Sequence, residues 1–242
     1  MTAVHRILVD TDTLLSGEAT LSKDAAKHLR VVRAKLGEDV ELFDGAGRTR
    51  IFNIAEGGAL AAAGDATMHP RLRARLTLFA CLTKQNRWEW MLEKVTELGA
   101  THIVPVMAER CVVKIAKCEA AKKLERWNKI AEEAARQSHA VWLPEIHAPV
   151  SFAEALEIAK NSGKIFAGAL MDGEMPEPIA KAAAKAGMEG DAGVFIGPEG
   201  DFSPAELAAL LAMAQPVSLG PTVLRAETAA IFAVAVLAAL RQ

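Results

Sequence analysis

Two glycine-containing turns near the carboxyl end of the chain hold the residues best suited to bind a ligand. The first follows the apolar run 194–196, and Gly197 and Gly200 bracket a turn where a ligand can approach the backbone closely. The second follows residues 217–219 and contains Gly220. In an open α/β sheet, ligands bind beyond the carboxyl ends of the strands, so the two turns predict one binding crevice. The alternative is that both are ordinary strand–helix connections.

Each turn is predicted to lead into a helix. Ser203 can cap the first helix, Pro204 fits its first position, and Glu206 can complete a capping box. The second helix is predicted over 226–240. Upstream, apolar runs alternate with helical patterns, which predicts a mostly parallel sheet. The predicted strands are 76–82, 101–106 and 164–170, and the predicted helices are 86–98, 119–138, 151–159 and 177–186.

The first 70 residues or so are predicted to be rich in β-strands. A strand is expected over 6–9 and a short helix over 22–29. Residues 39–43 and 50–54 alternate polar and apolar around the turn signal Asp44-Gly45, which predicts a hairpin. We therefore predict a small barrel-like β domain over 1–72 and a second, α/β domain over 73–242.

Composition and charge limit the possible function classes. The chain has 242 residues, of which 51% are hydrophobic, and a net charge of −2, so RNA binding would depend on local basic patches. Cys81, Cys111 and Cys118 form no CxxC pair and are expected as free thiols in a reducing cytosol. No spacing typical of a metal site occurs. The longest apolar run, 229–240, is too short to cross a bilayer, and no signal peptide is recognisable, so a cytoplasmic protein is expected.

Two basic stretches have two interpretations each. Lys27 to Lys35 contains five basic or histidine side chains without an acid, and the region 114–136 carries seven Lys/Arg against four Glu. Either stretch is a solvated surface or an RNA-facing one.

Several familiar catalytic motifs are missing. The sequence contains no dinucleotide-binding GxGxxG before a helix, no GxxxxGK[ST] and no GxSxG. The chemistry is therefore expected to come from a bound cosubstrate.

Motifs distributed over nearly the whole chain resemble one family. They are Arg6, His28 to Arg33 and Leu36 to Gly45; then Lys84, 93–100, Pro105, Arg110 and 133–138; then 196–200, Leu219-Gly220 and 224–229. In this order they resemble the bacterial 16S ribosomal RNA uridine N3-methyltransferases of the SPOUT superfamily. Two positions depart from the family pattern: Asp201 replaces a usual glycine, and His139 lies near a usual arginine.

The resemblance implies a PUA-like N-terminal β-barrel, a C-terminal trefoil-knotted α/β domain, S-adenosylmethionine as methyl donor and a homodimer. The partner is 16S rRNA or the small ribosomal subunit, with no metal and no membrane. The expected cofactor-binding residues are Leu170, Ile196, Gly197, Pro198, Glu199, Gly200, Ser218, Leu219, Gly220, Leu224 and Thr228. Backbone groups of 197–200 and 218–220 would recognise adenine, between apolar walls.

The expected catalytic residue is Arg225, which would stabilise negative charge on the uracil carbonyl oxygens. Alternatively, Arg225 pairs structurally with Glu227 or Glu199. No residue is an obvious general base. RNA-binding residues are expected at Arg6, Arg30, Arg33, Lys84, Arg110 and Arg136. The competing functions are a SPOUT methyltransferase acting on another RNA or atom, a non-catalytic RNA-binding ribosome-assembly protein, and an oxidoreductase, which the missing dinucleotide motif disfavours.

Overall fold

The computed structural model describes residues 5–19, 21, 29, 34–56, 59–71, 74–169 and 175–241. By their internal contacts they form two compact units: Met1–Arg71 with Ala135–Leu143, and Leu72–Ala134 with Pro144–Gln242. The first unit includes 135–143, a segment outside the domain predicted over 1–72, and the predicted domains over 1–72 and 73–242 stay a prediction.

The first unit is built around a six-stranded sheet in the order β1-β3-β4-β5-β2, with β6 paired to β4. The elements are β1 (His5–Leu8), α1 (Thr11–Leu15), β2 (Glu18–Ala19), β3 (Asp39–Phe43), β4 (Arg48–Ile54), β5 (Leu60–Ala62) and β6 (Thr67–Met68). β3 and β4 form the predicted antiparallel hairpin, and β1 runs parallel to β3. Their inward side chains, including Val40, Leu42 and Phe52, form a buried core. The predicted helix over 22–29 lies outside the described residues, apart from Leu29.

The second unit contains a seven-stranded parallel sheet in the order β10-β8-β7-β12-β11-β13, with β9 paired to β8. The strands are β7 (Leu76–Cys81), β8 (His102–Met107), β9 (Glu145–Ile146), β10 (Val150–Ser151), β11 (Lys164–Gly168), β12 (Ala192–Ile196) and β13 (Gln215–Pro216). Every residue of β7 and β12 is buried, as expected for strands covered on both faces. The predicted mostly parallel α/β sheet is confirmed. The strand predicted over 217–219 lies earlier in the chain, at Gln215–Pro216. The trefoil knot stays a prediction.

Six helices of the second unit follow its strands. They are α2 (Gln85–Glu97), α3 (Lys117–Ser138), α4 (Phe152–Ala159), α5 (Ile179–Ala186), α6 (Pro204–Leu211) and α7 (Ala226–Ala239). The predicted capping box of α6 is confirmed: the Ser203 hydroxyl accepts from the Glu206 N–H, and the Glu206 carboxylate accepts from the Ser203 N–H. Only the last turn of α3 belongs to the first unit.

α2 and α7 are positioned by apolar packing. α2 buries Trp88, Met91, Leu92 and Val95 at helical spacing. α7 consists almost entirely of apolar residues and packs against α2 and β7. Among the described residues, no helix is both long and apolar enough to cross a membrane.

Candidate functional site

The carboxyl ends of three adjacent parallel strands meet at the site. β11 lies between β12 and β13, with Gly168 opposite Ile196 and Ala167 opposite Pro216. The chain segments that leave these strands therefore emerge side by side. They include both glycine-containing turns.

The two turns line one cleft of about 480 Å³. Its lining residues are 168–169, 175–176, 196–199, 201, 217–226 and 229. This volume lies in the range of sites for small molecules and cofactors, which is about 300–1,000 Å³. The sequence prediction that both turns form one crevice agrees with this geometry.

Most of the expected cofactor-binding residues line this cleft. They are Ile196, Gly197, Pro198, Glu199, Ser218, Leu219, Gly220 and Leu224. Gly200 and Thr228 are not among the lining residues, and Leu170 lies outside the described residues. Sequence reasoning did not select Gly168, Ala169, Met175, Asp201, Val217 or 221–223. The lining residues at the end of β11 could have been predicted from the sequence, because parallel strands place their carboxyl ends at one edge of the sheet.

The first turn is held by hydrogen bonds and has little room for a side chain at Gly197. The Asp201 N–H donates to the Pro198 carbonyl at 2.9 Å, which closes the turn. The Arg110 guanidinium donates to the Gly200 carbonyl at 3.1 Å and so holds the far side of the turn. A Cβ placed on Gly197 would lie 2.9 Å from Asp201 Oδ1, so a side chain there would require the Asp201 side chain to shift.

The second turn uses part of its backbone for structure. The Ser218 N–H donates to the Glu177 carbonyl at 2.9 Å, and the Ser218 carbonyl accepts from the Ile179 N–H at 3.0 Å. The Gly220 N–H donates to Ser218 Oγ at 3.3 Å. Leu219, by contrast, has neither backbone group bonded to another described residue. The Ser218 N–H is therefore not available to a ligand, which corrects the expectation for this group, whereas the Ser218 carbonyl oxygen keeps a second lone pair.

Arg225 lies at the amino end of α7 and lines the cleft. It is exposed, and no hydrogen bond or ion pair joins its side chain to any other residue in the described part of the chain. Its alternative partners are instead bound by Arg87: Nη1 lies 3.4 Å from Glu199 Oε1, and Nε lies 3.7 Å from Glu227 Oε1. Arg225 is therefore available to a ligand.

Glu227 is a buried acid close in sequence to the cleft residue Arg225, and it pairs with Arg87. It is 5% exposed, and its Oε2 has no hydrogen-bond partner within the described residues. Its position in the first turn of α7 is one where the helix dipole favours a negative charge. Sequence reasoning named Glu227 only as an alternative partner of Arg225 and missed Arg87, because nothing in the local spacing of Arg87 and Glu227 marks the pair.

The expected RNA-binding residues differ in accessibility. Lys84 and Arg110 are exposed in the second unit. In the first unit, Arg136 is half-buried, whereas Arg6 is 4% exposed. Arg30 and Arg33 lie outside the described residues.

Arg6 has a structural position. Its guanidinium binds the Glu41 carboxylate, donates to the carbonyls of Ala135 and Ala140, and lies 4.2 Å from the centre of the Phe43 ring. These contacts join the sheet of the first unit to its returning segment 135–143. Because the group is buried and already bonded, we do not include Arg6 in the RNA-facing set proposed below.

Among the described residues, few ionisable side chains line the cleft. They are Glu199, Asp201 and Arg225. Within the described part of the chain, no group of three His, Cys, Asp or Glu residues could hold a metal ion. The cleft can therefore offer backbone groups, apolar walls and one guanidinium to a ligand.

Comparison with known proteins identifies the family. The family model of the RNA methyltransferase domain matches residues 70–238, and that of the RNA methyltransferase PUA domain matches residues 21–60. The chain is 32% identical to ribosomal RNA small subunit methyltransferase E of Synechocystis sp., over 98% of this chain and 78% of the relative. It is 34% identical to the protein of the same name from Mycobacterium bovis, over 92% and 86% of the two chains.

Solved structures agree in fold over nearly the whole chain. A Legionella pneumophila protein in complex with the bound cofactor SAM has a TM-score of 0.82 at 30% identity and covers 98% of each chain. Ribosomal RNA small subunit methyltransferase E from Neisseria gonorrhoeae, bound to S-adenosyl methionine, has a TM-score of 0.77 at 27% identity, covering 96% and 95%. The chain therefore belongs to the RNA methyltransferase family that includes the proteins named ribosomal RNA small subunit methyltransferase E.

Proposed function

We propose that this protein transfers the methyl group of S-adenosylmethionine to N3 of a uridine in 16S ribosomal RNA. The observation that supports this most is the cleft, in which both glycine-containing turns and the guanidinium of Arg225 meet. Relatives that align along the chain carry the name of small-subunit ribosomal RNA methyltransferases. The SPOUT assignment is part of the same proposal.

The residues of the cleft fit this cofactor. Gly197 carries no side chain, so a flat ring can contact the turn directly. The backbone groups of Leu219, which have no bond to another described residue, can donate to and accept from an adenine edge. Ile196, Leu219 and Leu224 supply apolar walls. When bound, S-adenosylmethionine would supply an electrophilic methyl group on a sulfonium sulfur.

Arg225 would act on the acceptor base. Methylation at N3 of uracil removes a proton and develops negative charge on the two neighbouring carbonyl oxygens. A fixed guanidinium beside them would lower the barrier, because it stabilises that charge more strongly in the transition state than in the ground state. The N3 proton would leave to solvent, since the other ionisable lining groups among the described residues, Glu199 and Asp201, are held by Arg87 and within the turn.

The substrate RNA would be bound by basic side chains. Candidates are Lys84 and Arg110, which are exposed in the second unit, and Arg136, which is half-buried in the first, together with Arg30 and Arg33, which lie outside the described residues. Phosphate contacts release counterions, so the affinity for RNA should fall steeply with salt. A flat response of affinity to salt would contradict these contacts.

Methyl transfer tests the proposed function directly. Isotopically labelled S-adenosylmethionine is incubated with the protein and either small ribosomal subunits or naked 16S RNA lacking the modification. The RNA is then digested to nucleosides for mass spectrometry. We expect label in 3-methyluridine. Label in another nucleoside would overturn the N3 assignment. If calorimetry detects no binding of S-adenosylmethionine, that result would favour a non-catalytic RNA-binding protein.

A further inference from the structure

One guanidinium at the edge of the cleft binds two acids. Arg87 Nη1 lies 3.4 Å from Glu199 Oε1, and Arg87 Nε lies 3.7 Å from Glu227 Oε1. Among the described residues, no other cation pairs with either acid. Arg87 does not itself line the cleft. Its effect on a ligand there must therefore pass through the two acids.

The contacts of Arg87 join three elements that are distant in sequence. Arg87 lies in the first turn of α2, Glu199 lies in the turn between Gly197 and Gly200, and Glu227 lies in the first turn of α7. The two carboxylates each place an oxygen within 4 Å of the same guanidinium. Without that guanidinium they would be neighbouring like charges, which repel each other.

The two acids differ in their access to the cleft. Glu227 is 5% exposed and does not line it. The Glu199 side chain is 34% exposed and does line it. Loss of the Arg87 charge would therefore leave one unpaired acid in the interior and one unpaired acid facing the cleft.

Arg225 is the cation that would meet the second of these acids. It lines the same cleft as Glu199, and its side chain has no ion-pair partner in the described part of the chain. A guanidinium and a carboxylate that share a cleft attract each other and form strong, often paired, hydrogen bonds. An ion pair with Glu199 would compete with any contact between Arg225 and a substrate.

We propose that Arg87 is a positioning residue for methyl transfer, because it binds Glu199 and Glu227 and so keeps the guanidinium of Arg225 unpaired for the acceptor base. The inference rests on the proposed function, in which Arg225 stabilises charge on the uracil carbonyl oxygens. Arg87 touches neither the base nor the cofactor in this account. It acts through the charge of Glu199.

The Nε–H resonance of Arg225 in an NMR spectrum of nitrogen-15-labelled protein reports its pairing without any substrate. It is assigned by its loss in Arg225→Ala. We expect Arg87→Met to slow the exchange of this proton with water at least fivefold, because the new ion pair with Glu199 protects it. The double variant Arg87→Met/Glu199→Gln should restore the faster exchange. Unchanged exchange in Arg87→Met would overturn the proposal.

The kcat for methyl transfer, measured at saturating RNA and S-adenosylmethionine, tests the same coupling. We expect Arg87→Met to lower kcat about tenfold when Glu199 is present, and less than twofold when it is introduced into Glu199→Gln protein. Arg126→Met is the matched control, because it removes a guanidinium from its pair with Glu89 on α2 and should keep kcat. An equal loss of kcat in both backgrounds would show that Arg87 has only a structural role and would overturn the proposal.

The buried Glu227 requires one further background. If Arg87→Met does not fold because this acid has lost its cation, the same comparisons are made in Glu227→Gln protein, which lacks the buried charge. If methyl transfer proceeds but the presence of Glu199 makes no difference, this inference fails alone. If the unsubstituted protein binds no S-adenosylmethionine, the proposed function fails, while the NMR measurement still tests the pairing of Arg225.

Discussion

At the scale of single residues, Arg225 is an exposed arginine at the cleft without an ion-pair partner among the described residues. It lies at the amino end of α7, lines the cleft, and forms no ion pair with the described acids. The two acids that could have neutralised it, Glu199 and Glu227, are bound by Arg87. Arg87, in the first turn of α2, thereby leaves Arg225 at the start of α7 available to a ligand.

We expect Arg225→Ala to lower kcat for methyl transfer about 100-fold or more, as the loss of one charge-stabilising donor does in other enzymes. The Kd for S-adenosylmethionine should stay within about threefold, because the guanidinium acts on the acceptor base. The kcat of Arg225→Lys should lie between those of the unsubstituted protein and Arg225→Ala, since the charge remains but the planar fork is lost. Single-turnover kinetics and calorimetry measure both quantities, with exposed Lys160→Ala as the control. Full activity of Arg225→Ala would refute the catalytic assignment.

Asp201 and His139, the two departures from the family pattern, share one backbone feature. Asp201 has φ 56° and His139 has φ 58°, and within the described residues they are the non-glycine residues with positive φ. Aspartate tolerates this conformation because its side chain can bond locally, and here Oδ1 accepts from the Phe202 N–H at 2.8 Å. An aspartate at 201 is therefore compatible with the positive φ of the turn.

At the scale of elements, the carboxyl end of β11 limits the width of the cleft. A Cβ on Gly168 would lie 3.0 Å from the terminal methyls of both Ile196 and Leu219, which line the cleft. We expect Gly168→Val to push these side chains into the cleft and weaken binding of S-adenosylmethionine at least tenfold by calorimetry. Gly190→Ala, where nothing lies within 4 Å, is the control and should bind normally. Normal binding by Gly168→Val would place the cofactor elsewhere.

The hairpin between β3 and β4 depends on Asp44. Its side chain is fully buried; Oδ1 accepts from the N–H groups of Ala46 and Arg48, at 2.8 and 2.9 Å, and Oδ2 accepts from the Thr11 hydroxyl at 3.0 Å. Burial alone would raise the pKa of Asp44, but these hydrogen bonds outweigh it and hold the pKa below its ordinary value. A lowered pKa stabilises the fold above the unfolded value of 3.8, and this contribution is lost as the pH falls through the folded pKa.

We therefore expect Asp44→Asn to lower the free energy of unfolding at pH 7 by about 1–3 kcal/mol. The difference from the unsubstituted protein should shrink as the pH falls below about 4, because Asp44 is then protonated first in the unfolded chain and, at lower pH, in the folded protein as well. Urea unfolding at a series of pH values measures it, and Asp65→Asn, on an exposed residue of the same unit, is the control. A difference that does not depend on pH would contradict the role of the carboxylate charge.

Sequence reasoning identified the elements better than it identified the partners of individual groups. The capping box at Ser203, the hairpin turn at Asp44 and the two glycine-containing turns all have local signatures of residue type and spacing. The bonded backbone of Ser218 and the burial of Arg6 depend on segments distant in sequence, namely 177–179 and 135–140. No periodicity in a single sequence reports such contacts.

At the scale of the whole molecule, the exposed side of α7 suits a subunit interface. Phe232 on α7 is 41% exposed, and Trp90 on α2, against which α7 packs, is 47% exposed. Large exposed apolar side chains on neighbouring helices commonly mark association sites. We expect the protein to sediment as a homodimer and Phe232→Glu to sediment as a monomer in analytical ultracentrifugation, because a charge would be buried without a partner. Exposed Lys160→Glu is the control, and an unchanged dimer in Phe232→Glu would place the interface elsewhere.

The first unit is completed by a segment that is distant in sequence. The Gly47 N–H donates to the Val141 carbonyl, the Leu143 N–H donates to the Gly45 carbonyl, both at 2.9 Å, and the indole of Trp142 lies directly on Gly47. We expect Trp142→Ala to destabilise this unit by about 2–4 kcal/mol, as the loss of a large packed aromatic does, and Trp142→Phe to cost less. Hydrogen exchange of the amides in β3 and β4 measures the effect within the intact chain.

Because 135–143 supplies these contacts, residues 1–71 expressed alone should lack a cooperative unfolding transition. A cooperative transition in that fragment would show that the segment is dispensable.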